Sequence, residues 1–203
     1  MIAELGNYAL ALSLAVSFFL AIFPLWGAEK GHSQLMSLAR PMTYGLFFSL
    51  TIAFAALFYL FAVNDFSVQY VVNSSNSSLP IYYRLSAVWG SHEGSLLLWI
   101  WLLTLWGAAV ALFSKHLPQE AVARVLGIMG IISIGFLLFV LFTSNPFTRT
   151  FPDFPVDGRE LNPMLQDVGL IFHPPLLYMG YVGFSVAFAF AIASLMTGKL
   201  DSA

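Results

Sequence analysis

The 203-residue chain contains no cysteine. That absence excludes a disulfide framework, a thiolate zinc site and an iron–sulfur cluster. Charge is also scarce. Only 9% of the residues are Asp, Glu, Lys or Arg, against about 25% in a soluble globular domain. The 8 basic and 10 acidic side chains leave a net charge of −2, so no basic field exists to attract nucleic acid. The sequence has no phosphate-cradling loop, no nucleophile–base pairing and no His-x-x-x-His metal spacing. No internal repeat is evident. Charges are missing from the middle of every long apolar run, which argues against a proton relay or ion path inside this chain.

What remains is apolar. Hydrophobic residues make up 59% of the chain and the mean hydropathy is +0.83. A spanning helix needs roughly 20 mostly apolar residues, and five stretches qualify, at about 8–26, 43–63, 95–113, 122–142 and 174–196. The predicted class is an all-α integral membrane protein with five transmembrane helices and two long outer-face loops. The first span lacks the flanks of a cleavable signal peptide. Lys30, Arg40, Lys115, Arg124 and Lys199 fall on one side of this arrangement, and Arg84, Arg149 and Arg159 on the other. The positive-inside rule makes the first side cytoplasmic. The N-terminus and the long loops then face outward, away from the cytoplasm.

The outer loops, about 64–94 and 143–173, are too long to be plain connections, and long ordered loops are more often functional. Asn73-Ser-Ser-Asn76-Ser-Ser78 reads as a mobile polar turn; Asn73 and Asn76 head sequons of a kind common by chance. Prolines 146, 152, 155 and 163 forbid a continuous helix in the second loop. The expectation there is an irregular segment on the membrane surface, anchored by Phe147, Phe151 and Phe154.

Four histidines are present. His32 and His116 lie in cytoplasmic connections and read as solvated. His173 precedes Pro174 and Pro175, which suit the first turn of a helix, so it is expected near the N-cap of the fifth span. A helix N-terminus disfavours the imidazolium, keeping the ring neutral as a metal ligand must be. Two readings stand on the residues alone: an interfacial histidine where water begins, or one axial ligand of haem iron. Phe172, Tyr178 and Tyr181 would suit a porphyrin face but are equally usual in an interfacial belt.

His92 lies in Trp89-Gly-Ser-His-Glu-Gly-Ser95. Adjacent residues on a helix do not face each other, so a direct His92–Glu93 dyad is not implied. Gly90 and Gly94 would admit close backbone approach. The segment is either a packed polar turn that shapes a ligand site or a polar cap on the third span. Trp99 reads as a belt residue; Trp101 and Trp106 lie deeper and read as core. Gly183, Ala187 and Ala191 form a small-residue stripe for helix contact, within or beyond this chain. Gly127 and Gly130 are expected to act similarly.

Longer stretches carry a resemblance. Trp89-Gly-Ser-His-Glu-Gly-Ser-Leu-Leu-Leu-Trp99, Leu161-Asn-Pro-Met-Leu-Gln-Asp167 and Ile171-Phe-His-Pro-Pro-Leu-Leu-Tyr-Met-Gly-Tyr-Val-Gly183 closely resemble the CcmF family of cytochrome c-type biogenesis proteins. Asn64-Asp65-Phe66 and Phe142-Thr-Ser-Asn-Pro146 match as well. The resemblance implies a component of system I cytochrome c maturation that binds haem b at the outer membrane face. It implies His173 as an axial ligand of the haem iron, with Trp89, His92, Pro174, Pro175 and Tyr178 around the cofactor. Implied partners are the haem chaperone CcmE, CcmH and CcmI, apocytochrome c and membrane lipid. Two alternatives are a non-catalytic scaffold that docks CcmH or the chaperone, and a haem lyase for nitrite-reductase maturation. Family members are much longer, and their tryptophan-rich segment and further ligand histidines are missing here. The sequence therefore looks like the N-terminal part of such a protein, one that would need the remaining C-terminal part to act as a lyase.

Overall fold

In the computed structural model, which describes residues 1–198, hydrophobic runs become eight α-helices. They are α1 (Ile2–Lys30), α2 (Ser33–Ser37), α3 (Ala39–Ala62), α4 (Gln69–Ser74), α5 (Ile81–Ser86), α6 (His92–Phe113), α7 (Gln119–Phe142) and α8 (Val168–Thr197). Five segments are long and apolar enough to cross a membrane: α1, α2 with α3, α6, α7 and α8. Each long helix begins or ends outside the stretch expected from hydropathy, because polar residues still form hydrogen-bonded helix at its ends. Lys199 of the charge argument lies outside the described residues.

The bundle centres on α1, which packs against α3 on one side and α7 on the other. In a lipid solvent no hydrophobic force drives helices together, so close approach and interhelical polar contacts must do it. The sequence supplies both. An added Cβ at Gly127 of α7 would lie 2.6 Å from Leu25 Cγ of α1, and one at Gly130 would lie 3.1 Å from the Ala21 backbone nitrogen. Ser13 and Ser49 share a buried 2.6 Å hydrogen bond between α1 and α3. The Trp101 indole donates to Thr51 Oγ1 at 3.0 Å and stacks on Phe54, joining α6 to α3. These contacts agree with the core reading of Trp101 and the packing reading of both glycines.

The α1 C-terminus shows why a glycine stands at position 31. Gly31 has φ 70°, and the next N–H, from His32, returns to the Gly27 carbonyl at 2.8 Å. A side chain would be strained there. The chain then turns at once into α2.

Helix α8 is the least covered of the five membrane-length segments. It leans on α6 and α7 along one edge through Val182, Ala189 and Ala193. Of the predicted stripe, Gly183 faces the Trp106 indole, whereas Ala187 and Ala191 are exposed.

The end bearing the long connections is ordered by hydrogen bonds, which corrects two sequence expectations. The Asn73–Ser78 tract is held rather than free. Ser74 and Ser75 are buried, Ser75 Oγ donates to Asn64 Oδ1 at 2.8 Å, and Asn64 Nδ2 donates to the Asn76 carbonyl at 3.1 Å. The Ser77 N–H and hydroxyl donate to Asp157, and those bonds hold its carboxyl below the usual range. Phe147 is not a surface anchor: it is 4% exposed, and its ring fills the space that a side chain at Gly6 would need. Phe151 and Phe154 do face outward. The two connections are clasped by an antiparallel bridge, Val68 to Arg149, with Gln69 N–H on the Thr148 carbonyl at 2.9 Å. Arg149 also reaches Glu4 and Ser67.

Because Gly127 is closed over by Leu25, Gly127→Val should destabilise the chain by about 1–3 kcal/mol. Thermal unfolding in detergent measures this. Leu25→Ala in the same chain should recover part of the loss, and equal stability of Gly127→Val and wild type would contradict the packing.

Candidate functional site

The segment before α6 is built around a buried phenol. Tyr70 of α4 places its hydroxyl 3.1 and 3.0 Å from the Ala87 and Val88 carbonyl oxygens, and it accepts the Ser91 N–H at 3.3 Å. Burial pushes this phenol well above its ordinary pKa, so it stays a neutral donor. Residues Ala87–Trp89 form a single 3₁₀ turn, and the chain folds back so tightly that a Cβ at Gly94 would overlap the Val88 carbonyl oxygen. The expected close backbone approach at Gly94 is therefore made by this chain itself. Ser95 Oγ donates to the Trp89 carbonyl at 2.8 Å. No sequence signal marks Tyr70, because its role depends on a fold-back some twenty residues away.

This turn aims the Trp89 ring across to α8. The ring packs edge-on against Phe58, with centroids 5.7 Å apart. Its indole N–H donates to the Leu170 carbonyl at 2.7 Å. That carbonyl is special. In an α-helix it would accept from the residue four positions on, here Pro174, which has no N–H. The indole thus replaces the helical donor that proline removes. Two motifs that are far apart in sequence, Trp89–Ser95 and Phe172–Pro175, are joined by this one bond.

The helix start at His173 is corrected by the same geometry. Helix α8 begins at Val168, capped by Asp167, whose carboxylate accepts the Gly169 N–H at 2.7 Å. His173 is therefore the sixth helical residue, and Pro174 and Pro175 lie in the second turn. Proline favours a first turn, but the Asp167 cap and the indole donor let the helix start earlier.

His173 is exposed. Leu177, Gly180 and Phe184 follow at helical spacing on its face and are exposed too. An added Cβ at Gly180 would meet nothing within 4 Å. Glycine inside a helix costs about 1 kcal/mol relative to alanine, yet no neighbour among the described residues requires it. An exposed imidazole thus stands beside an open, largely apolar helix face. Among the described residues no group of three His, Asp or Glu side chains could hold a metal ion, and His173 stands there as a lone exposed imidazole.

Tyr178 lies elsewhere. It packs on Trp99, 5.4 Å between centroids, in a cluster with Phe136 and Tyr181. Trp99 is thus a packing residue between α6, α7 and α8 as well as an interfacial one. His92 opens α6 and is exposed, with Nδ1 3.4 Å from Glu93 Oε2. Sequence spacing does not imply this contact; it forms at the first residue of the helix, where Glu93 turns back to accept from Ser91 Oγ at 2.8 Å. The structure therefore brings Trp89 to the Pro174 turn, sets His173 on the outward face, and leaves Tyr178 on the bundle side.

A five-helix membrane-type bundle with a proline-containing helix that carries an exposed histidine at the ordered end defines the class. A family model described as "Cytochrome C assembly protein" matches residues 89–201, beginning at Trp89 and including His173, and the chain belongs to that family. It is a multi-pass membrane protein. It is 91% identical over its whole length to the cytochrome c-type biogenesis protein CcmF of Haemophilus influenzae and 59% identical to that of Escherichia coli. The chain spans 31% of the length of these curated relatives. Among solved structures it is similar to "Cytochrome c Heme Lyase CcmF", with a TM-score of 0.84 and 28% identity, covering 100% of this chain and 32% of that one.

Trp89→Phe keeps the ring and removes the donor. It should cost about 1–3 kcal/mol, the range for stranding a buried carbonyl, and speed hydrogen exchange across residues 168–175. Exchange there as slow as in wild type would contradict the role of the indole.

Proposed function

We propose that the chain is the haem-ligating membrane portion of a cytochrome c haem lyase. The observation that carries this reading is His173 on an open apolar helix face beside the unfilled Gly180 position, in a chain of the cytochrome c assembly family. His173 would be an axial ligand of haem b. Leu177, Gly180 and Phe184 would lie against the porphyrin. Trp89 and Pro174 would act indirectly, by setting the turn from which the imidazole projects. Pro175 would stiffen that turn and Tyr178 would brace α8 on Trp99. His92 with Glu93 would form a polar rim.

Haem, when bound, supplies the vinyl groups to which the thiols of apocytochrome c add. The residues of this chain contribute binding, orientation and tuning rather than acid–base chemistry. A second wall and a second ligand would come from the remainder of a CcmF-type protein. The ordered connections would face the periplasm, where the haem chaperone CcmE, CcmH, CcmI and apocytochrome c can reach them, and the bundle would lie in the bacterial inner membrane. This orientation rests on the five-to-three distribution of basic residues between the two ends.

The test is a reduced-minus-oxidised absorption spectrum of the affinity-purified membrane assembly, wild type against His173→Ala. The haem band should vanish or shift in the variant while the protein remains in the membrane. An unchanged band would remove His173 as a ligand and leave a scaffold that docks CcmH or the chaperone.

A further inference from the structure

The opposite end of the bundle holds a feature that haem handling does not use. A cavity of about 300 Å³ opens between the start of α3, the α6–α7 turn and the start of α7. Ser37, Arg40, Lys115 and Gln119 supply its polar lining, and Leu117 and Val122 contribute apolar surface. No carboxylate lines it.

The charges there are incompletely used. Arg40 donates through Nε to the Ala111 carbonyl at 3.1 Å and through Nη2 to the Ser114 carbonyl at 3.0 Å. Those bonds tie α3 to the end of α6 and leave Nη1 for another acceptor. Lys115 is exposed and makes no hydrogen bond or ion pair among the described residues. The nearby acids do not neutralise the pair, because they serve Arg124. Glu120 Oε1 lies 3.0 Å from Arg124 Nη2, and Glu29 Oε2 lies 3.7 Å from Nη1. The first turn of α7 adds unpaired N–H groups and a positive dipole end.

We propose that this cavity binds the phosphate of an anionic phospholipid, held between Arg40 and Lys115. Two observations favour a lipid phosphate over a free one. The cavity lies at the end of membrane-length helices, where headgroup phosphates are concentrated, and basic pockets between such helices are known headgroup sites. Leu117 also lines a second, largely apolar groove of about 400 Å³ between α6 and α8, walled by Trp106, Val110, Phe113, Val186 and Phe190. That groove suits an acyl chain. The headgroup carries a net negative charge, because the ammonium of a zwitterionic lipid would face two cations. The bound lipid would fasten the α6–α7 turn to α3.

The experiment is native mass spectrometry of the full chain purified in a mild nonionic detergent, titrated with phosphatidylglycerol or phosphatidylcholine. Wild type should retain phosphatidylglycerol about fivefold more tightly or better. Lys115→Glu should abolish that preference, and Lys115→Arg should restore it. Lys115 makes no hydrogen bond or ion pair among the described residues, so its loss should leave the fold intact. Arg40→Gln should also weaken binding, but it additionally frees the α6 terminus. Millimolar inorganic phosphate should not displace the lipid. Equal retention of the two lipids overturns the proposal, as does a preference that survives Lys115→Glu. Binding of inorganic phosphate in place of the lipid overturns it too, by making the occupant a soluble anion.

Discussion

The hydrogen bond from the Trp89 indole to the Leu170 carbonyl is the constraint on which the ordered end depends. A proline in the second turn of a helix deletes one N–H and strands one carbonyl. Stranding a carbonyl away from water costs about 1–3 kcal/mol. The chain answers from another segment rather than from water. To place the indole there it needs the Trp89 turn, which in turn needs the Tyr70 hydroxyl beneath it and a glycine at 94. Phe58 of α3 fixes the ring plane. The donor missing at Pro174 thus links an α4 tyrosine, a 3₁₀ turn and an α6 glycine to α8. The histidine beside the two prolines inherits a direction that its own helix would not fix alone.

The bundle beneath obeys the logic of a lipid solvent. Close interhelical contacts involve glycine and serine: Gly127 and Gly130 under α1, Ser13 against Ser49. Polar side chains at depth find partners, as Trp101 does on Thr51 and Trp106 on the Met179 carbonyl. Charged residues keep to the ends. Arg124 is buried but meets two carboxylates there. Helix α8 departs from this economy, with an exposed apolar face that includes a glycine touching nothing. That face is where the proposed cofactor and the rest of a longer protein would lie.

The sequence made the five long helices legible, because runs of some twenty apolar residues admit few other structures. It also marked Trp89, His92 and His173 as unusual, through glycine and proline neighbours. It misjudged what depends on distant partners. The 73–78 tract looked like a mobile turn because its donors and acceptors pair with Asn64 and Asp157, far away in the chain. Phe147 looked like a membrane anchor because nothing local shows that Gly6 leaves it a slot. The α8 start was set six residues late because proline preference was weighed without the Asp167 cap or the indole donor. Tyr178 was grouped with His173, although five residues along a helix place it most of the way to the other side.

The most direct measurement is a double-mutant cycle between Trp89→Phe and Pro174→Ala, read as unfolding free energy in detergent. With alanine at 174, a helical N–H returns to the Leu170 carbonyl and the indole is no longer needed. The two changes should therefore be coupled, by about 1 kcal/mol or more, with Trp89→Phe costing far less in the Pro174→Ala chain. Strictly additive losses would show that the indole and the proline act independently, and would contradict the account.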